Sequence, residues 1–163
     1  MPKRKLDFKR SQPVKLPNGR IHKISFINHP GAVIIAPFFS KNKIVFMRQF
    51  RPVLRKYIYE LPAGTLDPDE SLSACAKREL IEETGLRAKR MTKVGWIYPV
   101  PGYSTEIIHV FKAEGLTQGA AAPEQYEVIE NIVMTKAQVA RLFKQGKLQD
   151  AKSICTLAFC GWL

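Results

Sequence analysis

The apolar residues of the chain fall into short runs separated by turn residues, with one stretch at helical spacing. Ala32–Ala36, inside the apolar stretch Ala32–Phe39, reads as a buried strand, as do Ile44–Met47 and Tyr57–Leu61. Pro17-Asn18-Gly19-Arg20 is a turn signal that opens an N-terminal β-hairpin. The following segment Ile21–Ile27 alternates only roughly before His29-Pro30-Gly31 breaks it. Between residues 71 and 84, Leu72, Cys75/Ala76 and Leu80 recur at the helical period, and Gly85 supplies a stop. Further strands are predicted around Val94–Ile97, Ile107–Phe111 and Val128–Met134, and helices over Lys136–Lys144 and Ala151–Gly161. Strands on both sides of a central helix, with two late helices, predict an α/β (α+β) fold in which a mixed β-sheet sandwich lies between helices.

Composition adds bounds to this picture. With 163 residues, 45% hydrophobic and 25% charged, the chain has the make-up of one ordinary globular domain. No repeat and no long linker divides it, so residues 19–163 are read as a single domain after a basic segment, 1–18. Cys75, Cys155 and Cys160 are odd in number and lack zinc-type spacing, which predicts free thiols in a reducing compartment. Lys3–Lys5 resembles the basic start of a signal peptide, but Asp7, Lys9 and Arg10 interrupt any apolar run after it. The stretches Ala32–Phe39 and Ile154–Leu163 are too short to span a bilayer, and a cytoplasmic location is expected.

The charge is unevenly placed. The first 59 residues carry 14 Lys/Arg against the single acid Asp7, and the remainder carries 12 Lys/Arg against 13 acids. The whole net charge of +12 therefore sits in the first third. That balance points to an anionic partner, either a phosphorylated small molecule or nucleic acid.

The helix at 71–84 narrows the choice. At 100° per residue, Glu79 and Glu83 lie about 40° apart and Glu82 about 60° to the other side, so three carboxylates share an arc of about 100°. Like charges four apart cost a helix about 0.2–0.5 kcal/mol, and a divalent cation relieves the repulsion. An all-oxygen donor set favours Mg²⁺ or Mn²⁺ over zinc. Arg78, four residues before Glu82, is placed to hold a carboxylate. The competing reading is a solvated acidic face.

The surrounding loop weighs against that reading. Gly64, Glu70, Arg78-Glu79-Leu80, Glu82-Glu83 and Gly85-Leu86 match the pattern G-x5-E-x7-R-E-U-x-E-E-x-G-U, with U apolar, at every position. At ordinary residue frequencies such a match arises by chance about once in 10¹⁰ windows. The stretch resembles the Nudix box, and the chain is similar to Nudix hydrolases. The resemblance implies the Nudix fold and Mg²⁺-dependent cleavage of a nucleoside diphosphate linked to a second moiety. It implies two to three Mg²⁺ ions, with Mn²⁺ as a substitute. It also implies Glu79 and Glu83 as direct metal ligands, with Glu82 binding directly or through water and counted among the catalytic groups. Gly64 and Gly85 would permit the backbone turns, while Glu70 and Arg78 brace the box.

The flanks resemble the ADP-ribose pyrophosphatase subfamily. They are His29-Pro30-Gly31-Ala32-Val33, Arg48-Gln49-Phe50-Arg51-Pro52, Glu60-Leu61-Pro62-Ala63-Gly64, Pro101-Gly102-Tyr103-Ser104-Thr105-Glu106 and Asp150-Ala151-Lys152-Ser153. Pro101 follows Leu86 by 15 residues, where that subfamily carries a characteristic proline. This likeness implies hydrolysis of ADP-ribose to AMP and ribose 5-phosphate, with the Ala63 carbonyl as a further metal ligand. It assigns Arg51 to the substrate diphosphate, a role suited to a guanidinium with two parallel donors. Glu60 and Glu106 correspond to acids near substrate and metal, with structural ion pairs as the alternative. Phe8, Phe26 and Tyr103 are read as core aromatics or as stacking partners for adenine, and His22, His29 and His109 as structural.

The subfamily takes its general base from a loop outside the box, here about 115–127. Glu127 occupies the matching position, and Glu124 is the alternative. The likeness further implies an intertwined homodimer, in which the hairpin near Pro17–Ile27 is a candidate for exchange; folding back on its own chain is the alternative. Two other functions compete: a GDP-sugar pyrophosphatase with the same flanks, and a non-catalytic RNA-binding module. Such modules typically lose box carboxylates, whereas Glu79, Glu82 and Glu83 are all present.

Overall fold

The computed structural model describes residues 6–119 and 128–163. The main sheet runs in the order β5 (Lys56–Glu60), β4 (Lys43–Arg51), β3 (Ala32–Ser40), β8 (Ile108–Gln118), β7 (Leu86–Ile97). The short β6 (Ala63–Thr65) pairs with β3 and β9 (Ile129–Thr135) pairs with β4. β3 runs parallel to β8 and antiparallel to its other partners, so the sheet is mixed. A separate two-stranded sheet joins β1 (Asp7–Lys15) to β2 (Ile21–Asn28).

The period of two along β3 sorts the core into two layers. Ala32, Ile34, Ala36 and Phe38 pack with Val139 of α2 (Lys136–Lys144) and Leu157 of α3 (Ala151–Phe159). Val33 and Ile35 face the other way, onto Cys75, Ala76 and Leu80 of α1 (Leu72–Thr84). Both faces of β3 are covered, which explains its unbroken apolar run. The expected sandwich of mixed sheet between helices is therefore the observed fold. Each helix has a sequence-encoded start. Ser71 caps α1 by accepting from the Ala74 N–H, Thr135 and Gln138 form a capping box on α2, and Asp150 caps α3.

Three elements differ from the sequence expectation. β7 begins at Leu86 rather than near Val94. It is an edge strand paired only with β8 among the described residues, so its Arg87, Lys89, Arg90 and Lys93 reach solvent and mask the strand pattern. The three-residue β6 is too short and too small in side chain to show any period. Within the basic segment 1–18, read without an element, Asp7–Lys15 forms the first arm of the hairpin. A bulge between Lys9 and Gln12, with Ser11 at φ 48°, interrupts its alternation.

Candidate active site

The turn from β6 into α1 sets the site. Gly85 ends α1 in the left-handed region at φ 71°, and its N–H donates to the Ile81 carbonyl at 2.8 Å. That termination keeps the last two turns of α1 against the sheet, with Leu80 and Ala76 facing inward. Glu79 and Glu83 lie on this inward side and are only 9% and 5% exposed. Glu82 is more exposed. Two of the three carboxylates are thus buried, and the solvated-face reading does not hold for them.

Their surroundings are close-fitting. The Glu83 Oε2 accepts from the Ala63 N–H at 2.9 Å. A Cβ added at Gly64 would lie 1.9 Å from Glu79 Oε1, so only glycine lets this carboxylate approach the β6 backbone. Asn131 of β9 donates to the Glu83 carbonyl at 3.1 Å and ties the helix end to the sheet.

Arg78 organises the acids. Its Nε and Nη2 each donate at 2.9 Å to the two oxygens of Glu70. Its Nη1 donates to Glu79 Oε1 at 2.6 Å and to Glu82 Oε2 at 3.1 Å. Nη2 also reaches the Thr65 carbonyl at 3.3 Å. The Arg78 hydrogen bond holds the Glu70 carboxyl below the usual carboxylate range, and the same bond raises Arg78. Glu70 in turn accepts from the Asp67 N–H at 3.2 Å, closing the loop before α1.

A second ionic cluster sits beside the first. Arg51 donates from Nε at 2.6 Å and from Nη2 at 2.8 Å to Glu60, a bidentate fork. Lys152 also donates to Glu60, and reaches Asp150 at 2.7 Å. Burial would raise Glu60, but the bonds from Arg51 and Lys152 outweigh it and hold Glu60 below the usual carboxylate range. Burial would lower Arg51, yet Glu60 reverses this and raises it. Asp150 accepts from Ser153 Oγ at 2.5 Å, and that hydroxyl accepts from the Leu61 N–H at 2.8 Å. The start of α3 is therefore fastened to the chain just before β6.

Arg51, Ala63, Gly64, Glu106 and Lys152 line one cleft of about 270 Å³. Glu60 does not line it; it is buried at the side and positions the two cations. Glu60 is held in ion pairs with Arg51 and Lys152. Glu106 faces the cleft near His29, whose Nε2 lies 3.7 Å from the carboxylate. The Gly31 N–H donates to His29 Nδ1 at 3.0 Å, which leaves the ring proton on Nε2, toward Glu106. Sequence reasoning gave Lys152 no role. The available signals were its position two residues after a helix-capping Asp and its place in the flank Asp150-Ala151-Lys152-Ser153. Phe8, Phe26 and Tyr103 do not line the cleft, and Phe8 and Tyr103, at 56% and 57% exposure, are not core residues. Glu127 and Glu124 lie outside the described residues.

The carboxylate-bearing helix against a glycine loop agrees with the matching family: the NUDIX domain model covers residues 28–157. The chain belongs to the Nudix family. Nudix hydrolases generally need divalent cations such as Mg²⁺. Among relatives, the ADP-ribose pyrophosphatase of Bacillus subtilis (strain 168) is 36% identical over 150 residues, covering 91% of this chain and 81% of that protein. The methanol dehydrogenase activator of Bacillus methanolicus is 35% identical over 148 residues, covering 90% and 80%. The GDP-mannose pyrophosphatase of Cronobacter sakazakii (strain ATCC BAA-894) is 34% identical over 139 residues, covering 78% and 71%. The crystal structure of an ADP compounds hydrolase superposes with a TM-score of 0.81 at 18% identity, over 99% of this chain and 95% of that one, and shares the Nudix fold. No helix among the described residues is long and apolar enough to cross a membrane.

Proposed function

We propose that this Nudix protein hydrolyses the diphosphate of a nucleotide sugar, with ADP-ribose preferred, to AMP and ribose 5-phosphate. The observation that carries the reading is the meeting of two chemistries at one cleft. Arg51 and Lys152 supply positive donors to the cleft, and the buried acids Glu83 and Glu79 of α1 lie against Ala63 and Gly64, which line it too. A diphosphate fits the first, and a hard dication fits the second.

The donor set suits Mg²⁺. Glu79, Glu82 and Glu83 with the Ala63 carbonyl are all oxygen ligands, without His or Cys, and the Gly64 approach leaves no Cβ in the way. Among the described residues no three acidic, histidine or cysteine side chains already converge on one point. Arg78 instead bridges Glu79 and Glu82. Two to three ions, with Mn²⁺ able to replace Mg²⁺, belong to this proposal. When bound, the metal lowers the pKa of a water and neutralises phosphate charge.

The chain's own residues do the remaining work. Glu60 uses two of the five N–H donors of Arg51 and fixes the guanidinium plane, so the others are presented to phosphate oxygens without an ordering cost. Lys152, held by Glu60 and Asp150, adds a second fixed cation. Glu106 also lines the cleft, with His29 Nε2 3.7 Å from its carboxylate. The proton of the attacking water is assigned to Glu127, or to Glu124, on sequence position alone.

ADP-ribose is preferred over GDP-mannose because the ADP-ribose pyrophosphatase relative matches a larger share of both chains. A homodimer is proposed on the hairpin: β1 and β2 form a sheet of their own, tied to the rest of the chain by the bridge between Ile27 and Ser104, and Phe8 and Ile21 stand exposed on them. Its exchange between subunits and a cytoplasmic setting, suited to the three free thiols, complete the proposal. RNA binding without catalysis is the poorer fit, since the acids are present and braced. Initial rates on ADP-ribose and GDP-mannose, at equal concentration with Mg²⁺, decide the substrate. ADP-ribose is expected to be cleaved faster, and an equal or lower rate than GDP-mannose would remove the preference.

A further inference from the structure

We propose that Asp150, the capping residue of α3, is a positioning residue that serves the phosphate-binding cations and the metal-binding segment together, one carboxylate oxygen for each. The inference rests on the nucleotide-sugar reading above and deepens it by naming the group that keeps the two parts of the site in register. Asp150 does not line the cleft, and its side chain is only 12% exposed. It therefore acts through its neighbours.

A helix cap needs one oxygen. Asp150 Oδ2 fills that role by accepting from the Ser153 N–H at 3.0 Å. Oδ1 is left over, and it accepts from Lys152 Nζ at 2.7 Å. The ammonium is thereby shared between Asp150 and Glu60 Oε1. That same Glu60 oxygen accepts from Arg51 Nη2 at 2.8 Å. Without Asp150, Lys152 would lean on it alone and compete with the Arg51 fork. Oδ1 thus lets two cations of one cleft each keep a partner and a place.

The capping oxygen has a further task. Ser153 is fully buried, and its hydroxyl donates to Oδ2 at 2.5 Å. A hydroxyl has one proton and two lone pairs, so committing the proton to Asp150 leaves a lone pair for the Leu61 N–H, which donates at 2.8 Å. Ala63 follows two residues later. Between them Pro62 has a fixed φ, and its carbonyl accepts from the Ile35 N–H at 2.8 Å. The Ala63 N–H donates to Glu83 Oε2 at 2.9 Å. The Ala63 carbonyl, assigned above to the metal, is therefore carried on a short segment pinned at each of its three residues. Removing a group that holds a metal ligand in place typically costs about 10–100-fold in metal affinity.

Two substitutions separate the oxygens. In Asp150→Asn the amide oxygen must face Ser153 to keep the cap, which turns the NH₂ group onto the Lys152 ammonium. Ser153→Ala deletes the link to Leu61 and leaves the ion pair with Lys152. Inorganic pyrophosphate, titrated by calorimetry into the full chain without divalent cation, reads the cations. Mn²⁺ alone, titrated by its paramagnetic resonance, reads the metal-binding segment. Asp150→Asn is expected to weaken pyrophosphate about tenfold with Mn²⁺ affinity unchanged, and Ser153→Ala to do the reverse. On ADP-ribose the Asp150→Asn loss should fall on KM rather than kcat. Asp150→Asn combined with Lys152→Met should be no weaker than Lys152→Met alone. Parental pyrophosphate affinity in Asp150→Asn would overturn the proposal, as would additive losses in the double variant or parental Mn²⁺ affinity in a folded Ser153→Ala. Losses in both titrations that simply follow the melting temperature would make Asp150 a helix cap and also overturn it. Should Ser153→Ala not fold, Asp150→Ala must weaken both probes, and an unaltered Mn²⁺ affinity there would overturn the proposal. A parent that binds both probes but cleaves no nucleotide sugar would fail the functional reading, a result distinct from either titration.

Discussion

Glu83→Gln should lower kcat by about a thousandfold or more while leaving the protein folded. The change removes one negative charge from a group only 5% exposed and placed in the inner row of α1. A metal ligand's contribution of several kcal/mol corresponds to three or more powers of ten in rate. The fold should persist because the glutamine carbonyl can still accept from the Ala63 N–H that now bonds Glu83 Oε2 at 2.9 Å. Steady-state kinetics and thermal unfolding, measured on the same preparation, check both halves. Near-normal kcat in a folded variant would overturn the assignment of Glu83 to the metal.

Gly64→Ala should be the second most damaging change, through space alone. The φ of Gly64 is not in the left-handed region, so alanine meets no backbone penalty there. Its Cβ, however, would lie 1.9 Å from Glu79 Oε1 and 2.0 Å from Glu79 Cδ. The carboxylate must then turn away, breaking its 2.6 Å contact with Arg78 Nη1. A displacement of about 1 Å in a catalytic group costs about a hundredfold, so kcat/KM should fall by that order. Stability should change little, because the moving atoms are the end of a flexible side chain. Full activity in the folded variant would show that the position of Glu79 is not needed for turnover.

Much of this site was legible in the sequence because it is local. Gly64, Glu70, Arg78, Glu79, Glu82, Glu83 and Gly85 lie on one loop and one helix, where spacing fixes geometry. The core was legible for the same reason, since the apolar run of β3 and the period of α1 declare their own faces. What the sequence hid is long-range. Lys152 stands 92 residues from the Glu60 it bonds, and no pattern in the chain announces that pairing. Glu60 therefore read as an acid near the substrate, with an ion pair as the alternative, and the sequence could not show its two cations. Charge patterning misled at β7, where basic residues on an edge strand obscured eight of its positions. The basic first third is only partly explained: Arg51 faces the cleft, while Lys9 pairs with Asp7 at 2.6 Å on the exposed hairpin.

The most direct test of nucleotide-sugar chemistry is to incubate the full chain with ADP-ribose and separate the products, with Mg²⁺, with a chelator, and after Mg²⁺ is restored. Equal amounts of AMP and ribose 5-phosphate are predicted with Mg²⁺, none with the chelator, and recovery on restoration. No cleavage with Mg²⁺, or undiminished cleavage in the chelator, would contradict the proposed function.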